Sequence, residues 1–136
     1  MKIYDKKLSV SSSFRVEFID ITPQISKIIE EAGISNGVCY IFVPHTTAAV
    51  TINENADSSV VEDIIKKLNQ LIPQNERYFK HLEGNSDAHI KSSIISPSIN
   101  VFIENRKLKL GNWQGIYFCE FDGPRHRNLW VKILGE

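Results

Sequence analysis

The chain has 136 residues and a mass of 15.5 kDa, which is the size of one domain. Sixteen Lys and Arg residues balance sixteen Asp and Glu residues, so the formal net charge at pH 7 is zero. This balance argues against a general binder of nucleic acid or anionic membranes, because both need an excess of basic residues. No apolar stretch reaches the length of a membrane span, and the first residues lack the pattern of a secretory signal. We therefore expect one domain over residues 1–136, with no nucleic-acid or membrane partner.

Alternating apolar residues predict a first strand over residues 8–18. Residues 22–33 predict a helix, since the segment opens with a capping threonine and a proline and closes with a glycine. Short apolar runs over residues 38–43 and 48–52 predict two buried strands.

An apolar stripe over residues 60–71 predicts a second helix, which Pro73 ends. Ser59 and Glu62 have the spacing of a capping box at its start. A third and shorter helix is predicted over residues 88–95, after a polar segment that can cap it.

The last third of the chain is rich in predicted strands. Residues 99–103 and 108–110 predict a hairpin, and residues 113–121 and 129–134 complete a predicted antiparallel meander. Because strands dominate and the helices lie between blocks of strands, the pattern predicts an α+β fold rather than a doubly wound sheet.

The two cysteines, Cys39 and Cys119, are far apart in sequence and lie in apolar or aromatic runs. Their setting favours two buried, reduced thiols, with a disulfide or a reactive thiol as the alternative. Reduced thiols predict a cytoplasmic location.

Three histidines lie in polar, turn-rich settings, namely His45, His81 and His89. Three imidazoles around one point would make a catalytic zinc site with an open position. The alternative is that they are three separate surface or capping histidines, since their spacing matches no standard zinc motif.

Several acidic residues lie near these histidines, and carboxylates can hold magnesium, orient a ligand or act as a general base. Asp57 and Asp87 each precede a predicted helix, where a carboxylate can simply cap free N–H groups. Glu54 has no such capping role, which makes it the stronger catalytic candidate.

Cationic residues offer a second kind of site. Arg125 and Arg127 follow a turn and could grip a phosphate or a carboxylate, with Lys91 beside them and with Thr46 and Thr47 as donors. A solvated charged turn is the alternative. No glycine-rich phosphate loop is present, so the usual modes of nucleotide binding are disfavoured.

The segment with Trp113 and Gln114 is bracketed by glycines, which suits close packing against a ligand or a neighbouring subunit. A core tryptophan beside a solvent-facing glutamine is the alternative.

Four motifs follow one another along the chain: His45-Thr46-Thr47-Ala48-Ala49 with Asn53-Glu54-Asn55-Ala56-Asp57, residues 78–91, residues 110–117, and Glu120-Phe121-Asp122-Gly123-Pro124-Arg125. Together they resemble the YjbQ family, also called the secondary thiamine-phosphate synthase family, over nearly the whole chain. The resemblance implies a mainly antiparallel β-sandwich with three inserted helices, assembled as a homotrimer with a pocket near the subunit interface.

Taking the resemblance together with the residue types, we expect three groups of site residues. The expected catalytic residues are Glu54, Asp57, Asp87 and Arg125. The expected substrate-binding residues are Thr46, Thr47, Lys91, Trp113, Gln114 and Arg127. The expected metal ligands are His45, His81 and His89, for a divalent metal that is zinc or magnesium.

The family's name implies that the chain joins hydroxymethylpyrimidine diphosphate to thiazole phosphate and releases pyrophosphate, as a main or a side activity. Two alternatives stay open: a metal-dependent hydrolase of a small phosphorylated metabolite, and a non-catalytic trimer that binds a metabolite.

The chain departs from the family pattern at two positions. Arg106 stands in a turn where the family has glycine, and Asn112 stands where it has threonine. Asn105 can supply the left-handed residue that the turn needs, so we expect the hairpin to form. His126 matches no fixed family position and is left out of the predicted site.

Overall fold

The computed structural model describes residues 1–136, which form eight strands and three helices. The strands are β1 (Lys2–Ser11), β2 (Glu17–Asp20), β3 (Gly37–Phe42), β4 (Ala48–Glu54), β5 (Ser98–Glu104), β6 (Lys107–Leu108), β7 (Gln114–Glu120) and β8 (His126–Gly135). The helices are α1 (Thr22–Ala32), α2 (Ser58–Leu71) and α3 (Ser86–Ile95).

The strands form two sheets in which every paired strand is antiparallel. One sheet has five strands in the order β1-β8-β3-β5-β6, and the other has three in the order β2-β7-β4. The main core takes residues from both sheets and from the apolar face of α1. The predicted α+β class, with mainly antiparallel sheets and three helices, is therefore confirmed.

The predicted first strand over residues 8–18 is wrong, because the chain changes sheet within it. β1 pairs with β8 in the five-stranded sheet, whereas β2 pairs with β7 in the three-stranded sheet. At the crossing, the Ser12 hydroxyl donates to Glu120 Oε1 at 2.8 Å. Apolar residues continue to alternate in the sequence through this crossing, although Phe14 is exposed in the structure, so the hydrophobic pattern alone gave no sign of the break.

The predicted C-terminal meander is also wrong beyond its first hairpin. β5 and β6 form the hairpin, but β7 joins β2 and β4 in the other sheet, and β8 returns between β1 and β3. Nearly every residue of β7 is buried, so this strand lacks the alternation that marks a strand with one solvated face.

The helix ends follow ordinary capping chemistry with two corrections. Asp57, and not Ser59, is the N-cap of α2, since its carboxylate accepts from the Ser59 backbone N–H at 3.0 Å. Thr22 lies inside the first turn of α1, where its N–H and hydroxyl both donate to Asp20. Gly33 ends α1 with a φ of +65°, as predicted.

The cysteines are unpaired and buried, as the sequence predicted. Burial raises the pKa of Cys39 to about 12 and also raises the pKa of Cys119, so neither thiol is a reactive thiolate at neutral pH. None of the helices has the length and apolar content that crossing a bilayer would require.

Candidate functional site around helix α3

Helix α3 is the element on which the predicted polar residues meet. It packs on β4, and its first turn is anchored to the end of β7 because Asn85 Nδ2 donates to Asp122 Oδ2 at 2.8 Å. The backbone carbonyl of Asn85 accepts from the N–H groups of Ala88 and His89. Positions 87 and 91 share one side of this helix, and position 89 lies about half a turn away.

His89 and His45 line the same cavity, between the β3–β4 connection and α3. This cavity, called the histidine cavity below, has a volume of about 310 Å³. Its lining residues are His45, Thr46, Ala48, His89, Ser92, Ser93 and Pro97. Ser92 is only 6% exposed, and its hydroxyl has no hydrogen-bond partner in the protein. A buried hydroxyl without a partner is uncommon and marks a place where a ligand can add a hydrogen bond.

The imidazole of His45 is held by the backbone of β8. Its Nε2 atom lies 3.0 Å from both the nitrogen and the carbonyl oxygen of Asn128. Desolvation lowers the pKa of His45 and the positive charge of Arg127 lowers it further, and together they outweigh the Asn128 hydrogen bond and the charge of Glu120. His45 is therefore neutral at pH 7, with Nδ1 as the ring nitrogen that has no protein partner.

The ring of His89 also contacts the ring of His81, outside the histidine cavity. The two rings are perpendicular with centroids 5.4 Å apart, and both line a second cavity of about 370 Å³. The chain contains no group of three His, Cys, Asp or Glu side chains arranged to hold a metal ion. The three predicted metal ligands are thus brought together in pairs, and the donor set of one chain does not fit a three-histidine zinc site.

Asp87 lies at the centre of a buried charged cluster that includes Lys91. Arg15 donates to both carboxylate oxygens, at 2.9 and 3.1 Å, and Lys91 Nζ donates at 2.8 Å. Lys91 Nζ also donates to Asn69 Oδ1 at 2.8 Å. Burial raises the pKa of Asp87, but the hydrogen bonds from Arg15 and Lys91 outweigh it and hold the pKa below its ordinary value.

The two predicted anion-binding arginines are already paired with acids. Arg127 donates to both oxygens of the fully buried Glu120, and also to the Thr47 hydroxyl at 2.8 Å. Arg125 is exposed and donates to Asp122 Oδ2 at 3.1 Å. Arg127 and Thr47 therefore help to join the two sheets, since Glu120 ends β7 and Arg127 lies on β8.

The other predicted residues lie at the opposite end of the three-stranded sheet. Glu54 pairs with Gln114 there, whereas Ala48 pairs with Glu120 at the end near α3. Six residue steps of an extended strand separate these ends by about 20 Å. The side chain of Trp113 is exposed beside the Glu54 end, and the carboxylate of Asp57 caps α2. One chain alone therefore does not gather all the predicted residues into one pocket.

Sequence reasoning missed the partners that complete these clusters. Arg15 lies 72 residues from Asp87, and nothing in its local sequence connects the two. Ser92 carried a weak signal, because it lies three positions after His89 and thus on a neighbouring part of the helix surface. Asn69 was hidden among the polar residues of an amphipathic helix.

Comparisons with a protein-family model and with related proteins all point to the same family. The protein-family model described as "UPF0047 protein YjbQ-like" matches residues 6–136. A UPF0047 protein of Methanocaldococcus jannaschii is 54% identical over 130 residues, which cover 96% of this chain and 94% of the relative. Bacillus subtilis YugU is 46% identical and covers 96% of this chain and 98% of its own length.

Solved structures agree with this result. A Sulfolobus solfataricus protein, described as YbjQ-like and of unknown function, has a TM-score of 0.94 and 38% identity, with 99% of each chain covered. An uncharacterized conserved protein of the YjbQ/UPF0047 family from Clostridium acetobutylicum has a TM-score of 0.92 and 51% identity, covering 95% of this chain and 99% of its own.

These comparisons correct the activity that the resemblance implied. The relatives carry only the UPF0047 or YjbQ name, and one structure is described as having unknown function, so the assignment of thiamine-phosphate synthesis is wrong. The geometry agrees with this correction, because Arg125 and Arg127, the two candidates for gripping a phosphate, are paired with Asp122 and Glu120. The match over residues 6–136 and the identity to the relatives show that the chain belongs to the YjbQ (UPF0047) family.

Proposed function

We propose that the chain binds a small neutral polar molecule in the histidine cavity. The observation that carries this proposal is the Ser92 hydroxyl, which is buried and has no partner in the protein, in a residue that lines the cavity together with His45 and His89. A ligand that donates to or accepts from this hydroxyl would remove the cost of leaving it unpaired, which is about 1–3 kcal/mol.

The lining of the cavity favours a neutral ligand over a charged one. No Lys, Arg, Asp or Glu side chain lines it, and the lowered pKa of His45 leaves that imidazole uncharged at pH 7. The lining does supply hydroxyl and imidazole groups, which both donate and accept hydrogen bonds. Hydroxyl, amide and carbonyl groups match this lining, and the volume is at the small end of the range for ligand pockets.

The imidazoles also give the cavity a capacity for proton transfer. A neutral imidazole can accept a proton and return it near physiological pH. His45 is well placed for such a role because the backbone of Asn128 fixes the position of its Nε2 atom.

NMR titration with fragment-sized probes tests the proposal. We expect acetamide and ethylene glycol to shift the ring resonances of His45 and His89. Both probes carry groups that can form the hydrogen bond that the Ser92 hydroxyl lacks in the free protein. The exposed ring of His126 serves as the internal reference and should not move. Acetate should shift the two cavity histidines far less, since no cation lines the cavity.

Two serine variants control for indirect effects. Ser92→Ala should weaken acetamide binding about tenfold, which is the effect of one lost hydrogen bond. Ser58→Ala should leave it unchanged, because Ser58 is exposed on the first turn of α2 and does not line the histidine cavity. Equal binding by wild type and Ser92→Ala would refute the proposal.

The divalent metal, the homotrimer, the cytoplasmic location and the single domain over residues 1–136 stay predictions.

A further inference from the structure

A third cavity lies on the side of α3 that carries Asp87 and Lys91. It has a volume of about 410 Å³ and is called the arginine cavity below. Its lining residues are Arg15, Val16, Asn69, Gln74, Asp87 and Lys91. Lys91 is 1% exposed and Asp87 is fully buried, whereas the side chain of Arg15 is 31% exposed. The buried charges of Asp87 and Lys91 thus form the wall of the cavity, and the side chain of Arg15 is partly exposed to solvent.

The wall of the arginine cavity carries one positive charge in excess. Two cations, Arg15 and Lys91, share the single carboxylate of Asp87. The negative charge of Asp122 also attracts Arg15, but the Asp122 carboxylate accepts hydrogen bonds from Arg125 and Asn85. A cation that is buried without a full counter-charge is costly, so this wall favours the arrival of an anion.

Hydrogen-bond donors remain free around this excess charge. Arg15 uses its two terminal nitrogens on Asp87, which leaves its Nε–H without a protein partner. Asn69 uses its amide oxygen to accept from Lys91, which leaves its amide nitrogen to donate. A planar carboxylate can accept from two such donors at once.

We propose that the arginine cavity binds the carboxylate group of a small organic acid. One carboxylate carries a single negative charge, which matches the single excess positive charge of the wall. The free donors on Arg15 and Asn69 supply its hydrogen bonds. This site is separate from the histidine cavity and takes a ligand of a different chemical class, so each proposal stands or fails alone.

Acetate is the probe that tests this proposal on the intact chain. We expect acetate to shift the Arg15 Nε–H resonance in a saturable NMR titration, whereas acetamide should not shift it. Inorganic phosphate serves as the second anion. Tighter binding of phosphate than of acetate would overturn the assignment of a carboxylate, and an unmoved Arg15 resonance with both anions would overturn the site.

The Asn69→Asp variant should impair acetate binding without destabilising the fold, so it distinguishes a loss of the site from unfolding. The new carboxylate keeps an acceptor for Lys91 and cancels the excess charge, so acetate binding should weaken by about tenfold or more. The midpoint of urea unfolding should not fall, because no buried group loses its partner. Asn100→Asp makes the same chemical change on the exposed face of β5 and should leave acetate binding unchanged. Undiminished acetate binding by Asn69→Asp would overturn the proposal.

Discussion

At the scale of single residues, two neighbouring buried residues of α3 differ in whether their polar groups have hydrogen-bond partners. Lys91 is nearly inaccessible yet donates to both Asp87 and Asn69. Ser92, the next residue, is also buried, but its hydroxyl has no partner. Hydrogen bonds from a buried ammonium group help to hold the helix in place, whereas an unpaired buried hydroxyl destabilises the free protein and leaves a hydrogen bond for a ligand. Ser92 is therefore the residue of α3 whose hydroxyl the proposed ligand would supply with a hydrogen bond.

This difference predicts that Ser92→Ala makes the ligand-free protein more stable. Removing an unpaired buried hydroxyl should raise the free energy of unfolding by about 1 kcal/mol. Ser93→Ala shares the change in helix propensity but removes a paired, exposed hydroxyl, so it serves as the reference variant. Urea unfolding of the two variants measures the difference. A Ser92→Ala variant that is less stable than Ser93→Ala would show that the hydroxyl already has a partner.

Residue types explain why part of the site was predictable. His45, His89, Asp87 and Lys91 were found because imidazole, carboxylate and ammonium groups in polar segments are chemically conspicuous. Their pairing was not predictable, since Arg15 reaches Asp87 from 72 residues away. Contacts of this kind depend on the two-sheet topology, which local sequence patterns do not contain.

At the scale of elements, the β5–β6 hairpin shows how a turn accommodates an arginine with a positive φ. Asn105 and Arg106 both have positive φ values, +53° and +63°. Asparagine tolerates this region well, but arginine does so at a steric cost of roughly 1–2 kcal/mol. The Arg106 guanidinium donates to the Glu30 carbonyl at 3.3 Å, near the end of α1. The predicted hairpin forms, although one of its turn residues is strained.

Replacing Arg106 should separate backbone strain from the side-chain contact. Arg106→Ala loses the bond to Glu30 and keeps the strain, whereas Arg106→Gly loses both. We expect Arg106→Gly to be more stable than Arg106→Ala by about 1 kcal/mol, because glycine adopts positive φ freely. Thermal unfolding of both variants is the measurement. Equal stabilities would mean that the turn relaxes to a negative φ in the alanine variant.

Elements with strong periodicity were predicted well and sheet membership was not. The stripes of α1 and α2 and the apolar runs of β3 and β4 each gave the correct element. The error at residues 8–18 arose because apolar residues alternate in the sequence through both β1 and β2, although the two strands lie in different sheets. Pairing depends on contacts such as that between Ser12 and Glu120, which are 108 residues apart.

At the scale of the whole molecule, buried ion pairs add polar links between the two sheets, which the hydrophobic core already packs together. Glu120 of the three-stranded sheet accepts from Arg127 of the five-stranded sheet. Asp87 of α3 similarly holds Arg15, which lies in the crossing between the sheets. Burial raises the pKa of Glu120, but the hydrogen bonds from Arg127, the Asp122 N–H and Ser12 outweigh it, so the pKa lies below its ordinary value.

The lowered pKa values of Glu120 and Asp87 predict a loss of stability in acid. A carboxyl group whose pKa is lower in the folded state stabilises the fold above its unfolded pKa and loses this contribution as pH falls through the folded value. The ordinary values are 4.5 for Glu and 3.8 for Asp. The free energy of unfolding, measured by urea titration at a series of pH values, should therefore decline steadily once the pH falls below 4.5. The lowered pKa of His45 adds a smaller decline that begins earlier, as pH falls below the ordinary histidine value of 6.5.

The Glu120→Gln variant tests whether the Glu120–Arg127 ion pair causes the loss of stability in acid. At pH 7 the variant should lose about 3–5 kcal/mol, because it leaves the Arg127 cation buried without its counter-charge. The deficit should shrink as pH falls, since wild-type Glu120 then also becomes neutral. Glu104→Gln removes an exposed partner of Lys109 and should cost less than about 1 kcal/mol, with little change in the acid decline. A Glu120→Gln variant whose deficit stays constant between neutral and acid pH would show that the junction between the sheets depends on packing and not on the charge of Glu120.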